Sequence, residues 1–202
     1  RLGKVNKAFI EFAGKPLIVR VVEKAGKISS KIVVSVSRKA DLQEYRAVLP
    51  DGIEFARDEN EGLGPLEGIR CGMRKLQEFG VSYALGLACD LPFLKIEALK
   101  FMLTEAERLG VEALIPQWPN GFTEALHSVY QPEAMWKASE EALAEGKRLV
   151  MDAVRKLRKV HMLPVERLKP FDPKLSTFTN INTVEDLSEA LKQADPASFG
   201  DE

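Results

Sequence analysis

The sequence predicts an α/β domain in three layers: a mainly parallel sheet with helices on both faces. Three observations carry that expectation. Apolar runs of strand length alternate with amphipathic stretches of helix length along almost the whole chain. Ser82 to Ala88, SYALGLA, is apolar almost without interruption, as a central strand covered on both faces must be. The chain's 202 residues suit one domain with one sizeable core.

The elements follow in order. Ala8 to Phe12 is a short strand candidate, Ala13-Gly14 a turn, and Pro16 opens a helix to about Lys24, where its missing N–H costs nothing. Lys31 to Val36, KIVVSV, reads as a buried strand. Asp41 to Leu49 is helical, Ile53 to Ala56 extended, and Arg57 to Gly64 a polar, glycine-bearing loop. Pro65 opens a helix to about Phe79, and the SYALGLA strand follows, ending in the acid Asp90. Lys95 to Leu109 is a helix, Glu112 to Pro116 a strand, Trp118 to Thr123 a loop and Glu124 to Tyr130 a strand. Helices are expected over Pro132 to Ala144 and Leu149 to Leu157, broken at Gly146, with a strand near Val160 to Leu163. Thr183 with Asp186 three positions on imitates a capping box, so the last helix runs from there to Gln193. Residues 1–195 form one domain in this reading, and residues 196–202 a frayed tail.

Composition narrows the function classes. Apolar residues make up 45% and charged residues 29%, the balance of an ordinary globular protein. With 29 Lys and Arg against 30 Asp and Glu, no global field points to nucleic acid, so an anionic ligand must be held locally. Cys71 and Cys89 are too few for a disulfide framework or a cysteine-rich zinc site, which favours a reducing compartment. At the end of a buried strand, Cys89 reads as a small apolar residue. No apolar run approaches the ~20 residues of a membrane span and no secretion signal opens the chain, so the expected location is the cytoplasm, without membrane contact.

Four segments can carry chemistry, and each has an ordinary structural reading beside it. Arg1-Leu-Gly-Lys-Val-Asn-Lys7 is either a solvated basic leader or a phosphate clamp. Asp90, in Ala88-Cys-Asp-Leu-Pro92, lies where ligands bind in open α/β sheets, outside the carboxyl end of a strand. It is either a metal ligand or a cap on the next turn. Mg²⁺ asks for only one or two carboxylates and completes its shell with phosphate oxygens and water. The loop from Asp58 through Gly64 to Gly68 has glycines that permit close approach to a base or phosphate, or simply make turns. In Asn180-Ile-Asn182-Thr183, alternation turns both amides to one side, toward a ligand or into a turn, whereas Thr183 is better read as an N-cap. His127 lies on an alternating strand and is either an acceptor contact or a packed residue.

These segments in this order resemble the MobA-like nucleotidyltransferases, and most closely the molybdenum-cofactor guanylyltransferases. The motifs are R-L-G-x-x-N-K, F-x-G-K-P-L at Phe12 to Leu17, G-P-L-E-G at Gly64 to Gly68, C-D-L-P at Cys89 to Pro92 and N-I-N-T-V-E-D-L at Asn180 to Leu187. The match spans nearly the whole chain. It implies a Rossmann-like fold of the nucleotide-diphospho-sugar transferase kind. The implied reaction transfers GMP from GTP to the terminal phosphate of molybdopterin (Mo-molybdopterin), using Mg²⁺ and releasing pyrophosphate. It also implies a contact of Lys7, with Arg1, to the triphosphate, Mg²⁺ on Asp90, guanine on Asp58, and Ser35 and Gly64 in the nucleotide pocket. Gly68, Asn180 and Asn182 fall to the acceptor side, with His127 as a further candidate there. Chemistry agrees on Asp58, because guanine presents N1–H and N2–H₂ as adjacent donors that one carboxylate accepts together, and cytosine has no such pair.

Two departures from the family pattern stand out. Asn6 occupies a position where relatives often carry Asp. The family also begins with an apolar strand and a glycine-rich L-A-G-G loop, and the expectation is that this sequence lacks both. Rival readings are a molybdenum-cofactor cytidylyltransferase, a guanylyltransferase for another phosphorylated metabolite, and a non-catalytic molybdopterin-binding or delivery module. Transient contact with other molybdenum-cofactor proteins belongs to the same expectation.

Overall fold

The computed structural model describes residues 6–193. At its start, Asn6 caps a 3₁₀ turn, Lys7–Phe9, by accepting the Ala8 N–H at 3.2 Å. The cap displaces the expected strand, which shrinks to β1, Glu11–Phe12, hairpinned to β2, Lys15–Pro16. Ala13 and Gly14 make the turn with φ of 46° and 78°, the positive values that a two-residue hairpin requires. Helix α1 (Leu17–Gly26) follows Pro16 directly.

Strand β3 (Val33–Val36), helix α2 (Leu42–Val48) and strand β4 (Glu54–Arg57) form a crossover unit, with β3 and β4 parallel and Ser35 opposite Ala56. Asp41 starts α2 as a side-chain cap on the Gln43 N–H. Helix α3 (Pro65–Glu78) follows the polar loop and leads to β5 (Ala84–Leu87). Helix α4 (Ile96–Leu109) ends at Gly110, whose φ of 58° supplies the left-handed cap. Then come β6 (Ala113–Gln117), β7 (His127–Tyr130), α5 (Pro132–Ala144), α6 (Val150–Val154), β8 (Val160–Pro164) and α7 (Val184–Gln193).

The fold is α/β, as expected, and its sheet is mixed. Strands β5-β7-β6-β8 form a four-stranded sheet in which β6 and β8 are parallel while β7 runs antiparallel to both its neighbours. Helices cover both faces, and strand alternation shows how. On β6, Ala113 and Ile115 join Leu66 and Met73 of α3 and Met135 and Ala138 of α5, whereas Leu114 joins Ala98 and Met102 of α4. On β7, Tyr130 faces the first cluster and Val129 the second. Leu114 is fully buried, so truncation to Ala would cost about 2–5 kcal/mol.

Among the described residues, β3 and β4 share no ladder with the four-stranded sheet. Between β3 and β5 lies an apolar cavity of about 480 Å³, lined by Val33, Val34, Leu85 and Leu87 with Val21 and Met73. Helix α3 packs against both sheets. No helix among the described residues is long and apolar enough to cross a membrane.

Candidate active site

Three distant segments converge at the carboxyl end of β5. The Lys7 ammonium donates to Asp90 Oδ2 at 3.2 Å and to Asn182 Oδ1 at 2.5 Å, joining residues 83 and 175 positions apart. Each partner is held from its own backbone. The 3₁₀ turn that carries Lys7 is fixed by Asn6, whose Nδ2 also donates to the Tyr45 hydroxyl of α2 at 3.0 Å. The Asp90 carbonyl accepts the Ile181 N–H at 3.0 Å, which brings Asn182 beside it. Ile181 is fully buried while Asn180 and Asn182 are exposed, the alternation that the sequence required.

The capping box before α7 forms as expected. Asp186 accepts the Thr183 N–H at 2.8 Å, and Thr183 Oγ1 accepts the Asp186 N–H at 3.0 Å. Asp186 also accepts the Asn182 N–H at 2.8 Å, so the cap fixes the amide residue that meets Lys7. These N–H bonds hold the Asp186 carboxyl below its ordinary range. Asp90 is 13% exposed at its side chain and Lys7 38%, an ion pair in the mouth of the site rather than in the interior.

A second group assembles at the carboxyl ends of β3 and β4. Asp58 continues the ladder by donating its N–H to the Val36 carbonyl at 2.9 Å. Ser35 Oγ donates to the Gly68 carbonyl at 2.7 Å, tying β3 to the first turn of α3. A side chain at Gly68 would meet Ser35 Cβ at 3.5 Å and Asp58 Oδ1 at 3.9 Å, and one at Gly72 would strike Ser35 Oγ at 2.7 Å. The glycines thus let α3 approach β3 closely, with Asp58 over the first turn. Gly64 precedes α3 with φ 70° and ψ −161°, a combination open essentially to glycine alone. Burial raises the Asp58 pKa, the Glu67 carboxylate raises it further, and the Arg70 guanidinium partly opposes both.

The expected acceptor set does not come together. Gly68 belongs with Ser35 and Asp58, and Asn182 with Lys7 and Asp90. His127 is 1% exposed, packed edge-on against Phe178 at 4.7 Å, with its Nε2 3.4 Å from Thr177 Oγ1 and its Nδ1 unpartnered. Burial pushes its pKa down to about 3. A neutral, enclosed imidazole presents nothing to an acceptor, which corrects the sequence reading: on β7 this position of the alternation points into the core. Arg1 lies outside the described residues.

The sequence reading passed over Glu67 and Arg70, buried neighbours in the first turns of α3 that carry much of the local polar network. Their spacing of three on a helix was the available signal. Among the described residues no group of three or more His, Cys, Asp or Glu could hold a metal alone. A single carboxylate with an adjacent amide oxygen suits a hard cation that takes its remaining ligands from phosphate and water.

Comparison with known proteins finds relatives over most of the chain. Residues 1–161 match the model of the MobA-like NTP transferase domain. A probable molybdenum cofactor guanylyltransferase of Methanosarcina mazei is 34% identical over 198 residues, covering 96% of this chain and 86% of that protein. The molybdenum cofactor guanylyltransferase of Desulfosudis oleivorans is 32% identical over 190 residues, 94% of this chain and 88% of that protein. The crystal structure of molybdopterin-guanine dinucleotide biosynthesis protein A from Archaeoglobus fulgidus superposes with a TM-score of 0.78 at 30% identity, covering 96% of this chain and 94% of that one.

Proposed function

The chain belongs to the MobA-like NTP transferase family, and from that premise we propose that it transfers GMP from GTP to the terminal phosphate of molybdopterin, forming the guanine dinucleotide cofactor and releasing pyrophosphate. The observation that carries the reading is the convergence of Lys7, Asp90 and Asn182 at one strand end, with Asp58 following the end of a second strand, β4. The names of the relatives supply the acceptor. Residues 1–195 act as one unit in this reading.

In the reaction an oxygen of the acceptor phosphate attacks the α-phosphorus of GTP in line. A P–O bond forms there as the bond to the β-phosphate breaks, and both electrons leave with pyrophosphate. No general base is needed because the attacking oxygen is already anionic. Catalysis consists of positioning and charge neutralisation. Lys7 holds positive charge against triphosphate oxygens, Asn182 orients the ammonium, and Asp58 accepts the two donors of guanine. Asp90 is the residue that would hold the divalent ion, proposed as Mg²⁺, which supplies further charge neutralisation when bound. Asp58 favours GTP over CTP for the reason already given. Other molybdenum-cofactor proteins are the transient partners this reading implies.

Lys7→Ala tests the phosphate clamp. The expected result is a loss of about 10²-fold in single-turnover transfer, the scale of removing one preorganised charge or donor. The melting temperature should hardly move, because a surface ion pair contributes at most about 1 kcal/mol. Unchanged GTP affinity and transfer rate in the variant would return Lys7 to a solvated leader.

A further inference from the structure

Glu67 is 1% exposed and Arg70 5%, so an ion pair lies inside the protein one turn into α3. Burying such a pair brings little net stability, since desolvation offsets the attraction and an apolar pair of equal volume often does as well. Its hydrogen bonds indicate another use. Glu67 Oε1 accepts the Glu59 N–H at 3.0 Å, the Asn60 N–H at 2.9 Å, the Asn60 side-chain amide at 3.2 Å and Arg70 Nη2 at 2.9 Å, while Oε2 accepts Arg70 Nε at 2.8 Å. Arg70 Nη2 also donates to Glu59 Oε2 at 2.7 Å, and Nη1 reaches Glu140 Oε1 at 3.5 Å. Arg74 pairs with the other Glu59 oxygen.

The backbone around Asp58 is thereby fixed from both sides. Its own N–H is bound to Val36, and the next two N–H groups are bound to the Glu67 carboxylate. We propose that Glu67 and Arg70 are a positioning pair that sets base selectivity, by locking the 58–60 backbone so that the Asp58 carboxylate stands ready for the paired donors of a guanine. The inference rests on the reading of Asp58 given under Proposed function and extends it to residues that touch no substrate. The interaction is also electrostatic: the charged groups that act on Asp58 are Glu67, which raises its pKa, and Arg70, which lowers it.

The test compares Glu67→Gln and Arg70→Lys with the parent, using GTP, ITP and CTP. ITP keeps the purine ring, its 6-oxo group and N1–H but lacks the 2-amino group. Glu67→Gln should raise the KM for GTP about tenfold, the scale of one hydrogen bond to a charged group, with kcat within a few-fold. Its preference for GTP over ITP should shrink. Removing the neighbouring negative charge lowers the Asp58 pKa, so the acid limb of GTP binding should move to lower pH in the same variant. Should Glu67→Gln fail to fold, Arg70→Lys carries the test, because it keeps the charge, loses the fork and should show the same loss of preference more weakly. A variant with a lower melting temperature, equal losses for all three nucleotides and an unmoved acid limb would make the pair merely structural and overturn the proposal. A parent enzyme indifferent to the base would instead overturn the guanine reading of Asp58, and the positioning role with it.

Discussion

Asp90→Asn is expected to abolish transfer and leave the fold intact. The substitution conserves shape, the Asp90 carbonyl keeps its bond to the Ile181 N–H, and the new amide oxygen can still accept from Lys7. What disappears is the carboxylate that pairs with Lys7. The Lys7 ion pair is partly exposed, so its loss costs folding at most about 1 kcal/mol. The cost in rate is larger, because a triphosphate and an anionic acceptor must approach one another and an uncharged amide is a poor ligand for a hard divalent ion. A drop of about 10³-fold or more is expected, at the upper end for removal of a single electrostatic element. Single-turnover transfer across a Mg²⁺ titration, beside thermal melts, checks this. Turnover within a few-fold of the parent would remove Asp90 from the metal site.

The second large effect concerns the base. Asp58→Ala should weaken GTP relative to CTP by about 1.5–3 kcal/mol, the scale for hydrogen bonds to a charged group. In affinity that is roughly 10- to 150-fold. The acid dependence of the parent follows from the direction of the Asp58 shift. Burial raises its pKa, as does Glu67, so the carboxyl takes up a proton at higher pH than a free aspartate would. Only the ionised form accepts from both guanine donors. GTP affinity should therefore be full above the raised pKa and fall as pH drops through it, while CTP affinity stays level there. Isothermal titration with both nucleotides at neutral and acid pH decides the matter. Equal weakening of both by Asp58→Ala would leave Asp58 a loop residue.

Much of this architecture was legible from periodicity and punctuation. Pro132 to Ala144 was read with its observed ends, since proline opens the helix and the glycine break closes it. The capping box at Thr183 and Asp186 was legible because its pattern lies within four consecutive residues. Other features depend on contacts that no local pattern contains. Apolar alternation cannot give a strand its direction, so the antiparallel insertion of β7 between β5 and β6 was not visible. Glu124 to Tyr130 narrows to His127–Tyr130 because the His127 N–H turns back to the Glu124 carbonyl at 2.9 Å. That turn also sets which face His127 occupies. Within the site, the resemblance assigns Lys7 and Asp90 to the triphosphate and its metal and Asn182 to the acceptor side, and the direct bonding of all three is a property of the fold. Glu67 stayed hidden because a glutamate in a helix's first turn is ordinarily a solvated charge favoured by the helix dipole. Only the folded chain reveals that it is buried.

The ladder bond at Asp58 gives nucleotide binding a route into the fold. The Asp58 N–H is bound to the Val36 carbonyl, and β3 and β4 run side by side over Val33–Val36 and Glu54–Arg57. A guanine held on the Asp58 carboxylate would therefore brace backbone it never touches. Part of its binding energy would appear as slower amide exchange along Val33–Val36 and Glu54–Arg57 in the presence of GTP. Unaltered exchange there under saturating nucleotide would confine the effect of the ligand to the groups it contacts. In the braced protein, recognition of the base and consolidation of the fold are one event.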